Sequence, residues 1–141
     1  MYGTLEDMIR KYGFQQMAIL SVADSSLPDE PQQERIDAAL ADAASRIDSY
    51  LSRRYRTPVQ NPPLSIIDAG CVIAHYRLSQ GGDRTPSEQT KKDYDDSIAW
   101  LQKIAEGKAN LNIPEVSGAS SGEVISSDRE RIFDYNTLKD W

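Results

Sequence analysis

Asp68, Cys71 and His75 stand at i, i+3 and i+7 in "LSIIDAGCVIAHYRL". On a helix that spacing puts a carboxylate, a thiol and an imidazole near one face, the residue types of a Cys–His nucleophile pair. The spacing also limits the chemistry. Asp68 and His75 are about two turns apart, roughly 10 Å along the axis, so the carboxylate cannot orient that imidazole directly. No glycine-rich loop nearby suggests an oxyanion hole. The expectation is packing: a thiol used as a small apolar group, and a polar stripe paired at a helix or subunit boundary. No catalytic residue is assigned, and the chain is not expected to be an enzyme.

Metal and cofactor chemistry are not expected either. One cysteine and one histidine leave only carboxylates to complete a metal site. "DSSLPDE" lacks the glycine and the ligand spacing of a calcium loop. Asp93, Asp95 and Asp96 are crowded, as on a solvated helix face. "GASSG" is no phosphate loop, because no Gly-Lys-Ser/Thr follows it and no strand precedes it.

A cluster of cations remains. "RIDSYLSRRYRTPVQNPP", Arg46 to Pro63, gathers Arg53, Arg54 and Arg56 where a helix must end, and then runs through Pro58, Pro62 and Pro63. These arginines could contact an acidic surface of a partner, or they could simply sit at a helix C-terminus, where the dipole favours cations by about 0.3–1 kcal/mol each. Arg54 differs from the others, because its angle falls within the apolar stripe of its own helix. It should either snorkel past the end of the core or pair with a carboxylate on another element or subunit.

The elements that would position these groups are helical. Thr4 and Asp7 form a capping-box-like start, Leu5, Met8, Ile9 and Tyr12 keep helical spacing, and Gly13 can end that helix. A second short helix covers Phe14 to Leu20, and "ADSSLPDEP" reads as a loop. The third helix is predicted from about Pro31 to Tyr55, with Ile36, Leu40, Ala43, Ala44, Ile47, Tyr50 and Leu51 in one stripe and an Asp42–Arg46 pair beside it. The fourth runs from Leu64 to about Ser79 and is apolar on nearly every side, which suits the middle of a bundle or a subunit contact. "TPSE" then signals a fifth helix capped by Thr85, along which Tyr94, Ile98, Leu101 and Ala105 repeat before Gly107.

After Gly107 the periodicity stops. "KANLNIPEVSGASSGEVISSDRE" has the composition of an extended, mobile segment. It leads to "RIFDYNTLKDW", which holds Ile132, Phe133, Tyr135, Leu138 and Trp141. A tether ending in large apolar groups is expected to dock in a groove, on another chain rather than on its own core. The fold class expected is all-α: a small bundle of four to five helices over residues 1–113, with an extended C-terminal arm over 114–141.

The bulk numbers agree. The chain has 141 residues and a net charge of -6, enough for one domain and unfavourable for a free-standing nucleic-acid binder. No apolar run reaches the roughly 18 residues of a membrane span. "MYGTLEDMIRKYG" lacks the pattern of a secretory signal, and a single cysteine favours a reducing compartment.

"YGTLEDMIRKYG", "IDAALADAASRIDSYLSRRYRTPV", "PPLSIIDAGCVIAHYRL" and "YDDSIAWLQKIAEGKANL", in this order and spacing, resemble a Mu-like phage and prophage family grouped with the small α-helical head–tail connector, or head-completion, proteins. The resemblance covers about residues 2–113, and "RIFDYNTLKDW" also looks like that family's ending. The separate motifs are loose; their order is the specific part. One departure is "ADSSLPDEP", where many members carry an Asp/Gly-rich turn. The resemblance implies a virion protein of the neck. Such proteins form rings of about twelve subunits under the portal protein, extend the DNA channel and meet a neck or tail-terminator protein. DNA would pass through without specific binding, and no membrane or cofactor is involved. On that basis Arg53, Arg54, Arg56, Ile132, Phe133, Tyr135, Leu138 and Trp141 are the expected assembly contacts. The rival reading is a small helical DNA-binding regulator, which would use Gln89, Lys91 and Lys92 at the start of the fifth helix.

Overall fold

The computed structural model describes residues 1–22, 30–81 and 84–115. Five helices run in chain order: α1 Leu5–Tyr12, α2 Phe14–Leu20, α3 Gln33–Leu51, α4 Leu64–Ser79 and α5 Glu88–Ala105. The fold is all-α, and among the described residues the only β pairing is an isolated antiparallel bridge between Tyr55 and Glu115. α3 and α4 form an antiparallel hairpin, α5 packs against both, and α1 rests on α3 and α4. Among the described residues no helix is long and apolar enough to cross a membrane.

α4 is the centre. Ile66, Ala69, Gly70, Cys71, Val72, Ile73, Ala74, His75 and Leu78 are all buried, so most of its apolar surface is used inside the chain, with Leu64 at its start left exposed. Its small residues let neighbours come close. A Cβ placed on Gly70 would lie 2.2 Å from the carbonyl oxygen of Tyr2, so only glycine fits where the N-terminal segment crosses α4. Around α4 the core is closed by Ile36, Leu40, Ala43, Ile47 and Leu51 of α3, Leu101 and Ile104 of α5, and Met8 and Met17 of α1 and α2.

Local signals explain most helix ends. Thr4 Oγ1 accepts from the Asp7 amide, and the Asp7 carboxylate accepts from the Thr4 amide at 2.9 Å, the reciprocal box expected. Gly107, with φ +85°, follows α5 as its stop.

Three expectations are corrected. α3 is shorter than 31–55. It begins after Gln32, whose amide donates to the buried Ser21 hydroxyl at 2.8 Å, and it ends at Leu51, whose carbonyl closes the helix by accepting from the amides of both Arg54 and Tyr55. The cap of α5 is Ser87 rather than Thr85, with the Ser87 hydroxyl accepting from the Thr90 amide at 3.1 Å. Asp42 does not pair with Arg46. Arg77 of α4 reaches it across the hairpin at 2.9 Å, and both side chains are about half exposed, so the exchange changes little energetically.

Candidate functional site

Arg54 lies at the corner where α3 ends, half-buried rather than solvated. One terminal nitrogen donates to the carbonyls of Ile104, at 2.8 Å, and Ala109, at 2.9 Å. The other donates to Asn110 Oδ1 at 2.6 Å and Glu115 Oε2 at 2.7 Å. Only a planar fork of donors can serve four acceptors in this way. Two of them are backbone carbonyls at and just beyond the C-terminus of α5, that of Ile104, which also accepts from the Gly107 amide at 3.1 Å, and that of Ala109, and positive charge is favoured there by the dipole. Of the alternatives for Arg54, pairing with a carboxylate on another element is the one observed, within its own chain. Tyr55 completes the corner. It is 1% exposed, and its hydroxyl accepts from the Leu111 amide at 3.0 Å. Arg54 and Tyr55 thus hold residues 106–115 against the end of α3.

Arg53 and Arg56 are exposed and form no ion pair among the described residues. The remaining assembly residues expected from the sequence, Ile132, Phe133, Tyr135, Leu138 and Trp141, lie outside the described residues.

The sequence reading missed a second arginine of the Arg54 kind. Arg84 donates to the carbonyls of Ile19 (2.9 Å), Leu20 (3.2 Å) and Val22 (2.6 Å), which close the C-terminus of α2. It also missed Tyr2. The Tyr2 ring is buried, its hydroxyl donates to Asp48 Oδ1 at 2.5 Å and accepts from the Val59 amide at 2.8 Å, and burial beside that carboxylate pushes its acidity down, to a pKa of about 12. Neither residue carries a local signal, because each acts on a backbone more than fifty positions away.

The carboxylate, thiol and imidazole of α4 are engaged separately. Asp68 accepts from Lys11 Nζ of α1 at 2.7 Å, at an exposed edge. Cys71 is buried against Gly3, and burial, reinforced by Asp7 and Asp68, raises its thiol to about 11, so it stays protonated. His75 is 5% exposed and stacks on Tyr12 with ring centroids 3.8 Å apart; its Nε2 has no hydrogen-bond partner. Burial lowers its pKa to about 4; Lys11 pushes the same way and Asp93 of α5 opposes. A neutral thiol and a neutral imidazole, each packed, form the seam between α1 and α4.

That seam gives a pH dependence. Above pH 6.5 the imidazole is neutral in both folded and unfolded chains. As pH falls from 6.5 towards 4 the unfolded chain takes up a proton that the folded chain refuses, so stability is lost across that window. The shift from 6.5 to about 4 corresponds to somewhat over ~3 kcal/mol as an upper bound. His75→Phe keeps the stack on Tyr12 and removes the orphan nitrogen. Urea denaturation at several pH values should show the variant losing less stability than wild type between pH 6.5 and 4. Parallel stability curves would rule out His75 as the source.

With this geometry in hand, the chain can be set beside known proteins. The family model described as "Bacteriophage Mu, Gp36" matches residues 2–127. The "Mu-like prophage FluMu protein gp36" of Haemophilus influenzae is 31% identical over 118 residues, which is 82% of this chain and 78% of that protein. "Gene product J" of Escherichia phage Mu is 29% identical over 119 residues, covering 84% of this chain and 82% of that protein. The match runs through α1 to α5 and past the Arg54 corner. The chain therefore belongs to the bacteriophage Mu Gp36 family.

Proposed function

We propose that the chain is a structural protein of the phage particle, a head–tail connector that assembles as a ring beneath the portal and extends the DNA channel. The observation that carries this reading is membership of a Mu phage family over nearly the whole helical core. Several structural features support it. The core is closed within one chain, since the middle of α4 is covered by α1, α3 and α5. Apolar side chains remain outside: Phe14 and Ile19 of α2 are about half exposed and Leu64 at the start of α4 is 81% exposed. Such groups suit contacts between copies. Arg53 and Arg56 add exposed cations at one corner of an otherwise acidic chain. The acidic balance suits a channel along which DNA slides without sticking.

The DNA-binding alternative gains nothing from α5. Gln89 donates to Asp93 at 2.8 Å and Lys92 to Asp96 at 3.0 Å, so two of its three candidate groups are occupied by its own carboxylates, and only Lys91 stands exposed with no such partner among the described residues. Light scattering and electron microscopy of the pure protein, alone and mixed with its portal protein, test the proposal. A closed ring, formed alone or on the portal, is expected. A chain that stays monomeric under both conditions, or that binds duplex DNA in a salt-dependent manner, would reject it.

A further inference from the structure

A groove of about 410 Å³ opens beside the Arg54 corner, between the proline-rich turn and the last described residues, with Arg56, Pro58, Val59, Ile113, Pro114 and Glu115 on its walls. We infer that this groove receives the C-terminal aromatic segment, residues 132–141, of a second copy of this chain. The inference rests on the ring-forming reading above and names the contact that would join neighbours.

Three observations lead to it. The first is shape and chemistry. Pro58, Val59, Ile113 and Pro114 make the walls apolar, while Arg56 stands exposed at the edge with no ion pair among the described residues. The segment that would fill it carries five large apolar side chains in ten residues, interspersed with Asp134, Lys139 and Asp140. Aromatic side chains bury about 150–250 Å² each and anchor most protein contacts, and a carboxylate beside them meets the free guanidinium.

The second observation is position. The groove's far wall is Ile113–Glu115 itself, held in place by the Tyr55–Glu115 bridge and by Arg54. The last described residues are therefore held at a fixed point beside the groove. The third is reach. Residues 116–131 separate Glu115 from Ile132, and sixteen extended residues span about 50 Å. A small domain is only about 30 Å across, so the linker is long enough to carry the segment to the same groove on an adjacent copy. Passing each segment to the next copy gives a head-to-tail contact, which closes a ring when repeated by rotation.

The test replaces Phe133 with the photoreactive residue benzoylphenylalanine in the full chain. Ordinary and nitrogen-15-labelled protein are mixed, illuminated, digested and analysed by mass spectrometry, with light scattering on the same sample. Cross-links from position 133 to the 56–61 or 113–115 peptides, joining chains of unlike mass, are expected. Arg56→Glu should reduce their yield about two- to fivefold. Cross-links to the groove only between chains of like mass would place the segment on its own core and overturn the inference. So would cross-links elsewhere, or none, once the same probe at Tyr135 gives the same answer. A closed ring lacking these cross-links sinks the docking contact alone. Unlike-mass cross-links in an open or dimeric species would instead sink the ring reading.

Discussion

Arg54→Ala is expected to lower the stability of the chain by about 3–4 kcal/mol, whereas Arg53→Ala two residues away should change it by less than about 0.5 kcal/mol. The difference follows from where the guanidinium goes. Arg53 is exposed. Arg54 is 17% exposed and serves Ile104, Ala109, Asn110 and Glu115 together. Each hydrogen bond to a charged group contributes about 1.5–3 kcal/mol, and the four are not additive because they share one side chain. Removing the side chain takes the partner from the Ala109 carbonyl, leaves the Ile104 carbonyl with only its bond from the Gly107 amide, and leaves the Glu115 carboxylate, 30% exposed, without its ion-pair partner. Arg54→Lys keeps the charge but not the fork, and should recover less than half of the loss. In a Glu115→Ala background the cost of Arg54→Ala should shrink by about 1 kcal/mol, the share of the ion pair. The effect should also be local. Hydrogen exchange in Arg54→Ala should rise first at Leu111, whose amide is held by Tyr55 in the same corner. Equal stabilities for the Arg53 and Arg54 variants would leave only a dipole interaction at the end of α3.

The Arg54 corner marks the limit of what the sequence made legible. The helices themselves were readable because their information is local. Apolar residues at helical spacing, a Thr-x-x-Asp box and glycine stops placed all five helices within a few residues, and α4's unbroken apolarity marked it as the middle of the bundle. Arg54 was visible as an anomaly, a cation in an apolar stripe, but its partners were not. Those partners are backbone carbonyls and a carboxylate fifty and more positions along the chain, reached only after α5 has packed. Arg84 was not visible even as an anomaly, since an arginine after a glycine turn is ordinary. The same gap explains the error at Asp42. Spacing on one helix favoured Arg46, and the neighbouring helix supplied Arg77 instead. The α4 cluster went the other way. Its residue types suggested chemistry, and their separation along the axis already argued for the packed arrangement that the fold adopts.

Gly70→Ala should destabilise the chain strongly in the wild-type background, and the sign should reverse once Tyr2 is truncated. Alanine is about 1 kcal/mol better than glycine inside a helix, so with space available the substitution would stabilise α4. Space is lacking, because a Cβ there would sit 2.2 Å from the Tyr2 carbonyl oxygen and 3.2 Å from the Tyr2 carbonyl carbon and Cβ. This neighbour is backbone and cannot swing aside. It is also tied at the far end, where the Tyr2 hydroxyl bonds Asp48 and the Val59 amide. Accommodating the methyl means lifting residues 2–4 off α4 and exposing a ring that is now 1% exposed. Re-exposing an aromatic side chain costs about 4–6 kcal/mol by area, and partial relaxation together with the helix gain brings the expected net loss to about 3 kcal/mol. Tyr2→Ala removes the ring and its anchors, so residues 2–4 can move away freely. In that weakened background Gly70→Ala should be neutral or stabilising by up to about 1 kcal/mol. Tyr2→Phe, which keeps the ring and loses only its two hydrogen bonds, should cost about 1–2 kcal/mol and leave Gly70→Ala harmful. Thermal or urea denaturation of the four combinations of Tyr2→Ala and Gly70→Ala reads the sign directly. If Gly70→Ala is equally harmful with and without the Tyr2 ring, the close approach of the N-terminal segment is not what requires glycine in the middle of α4.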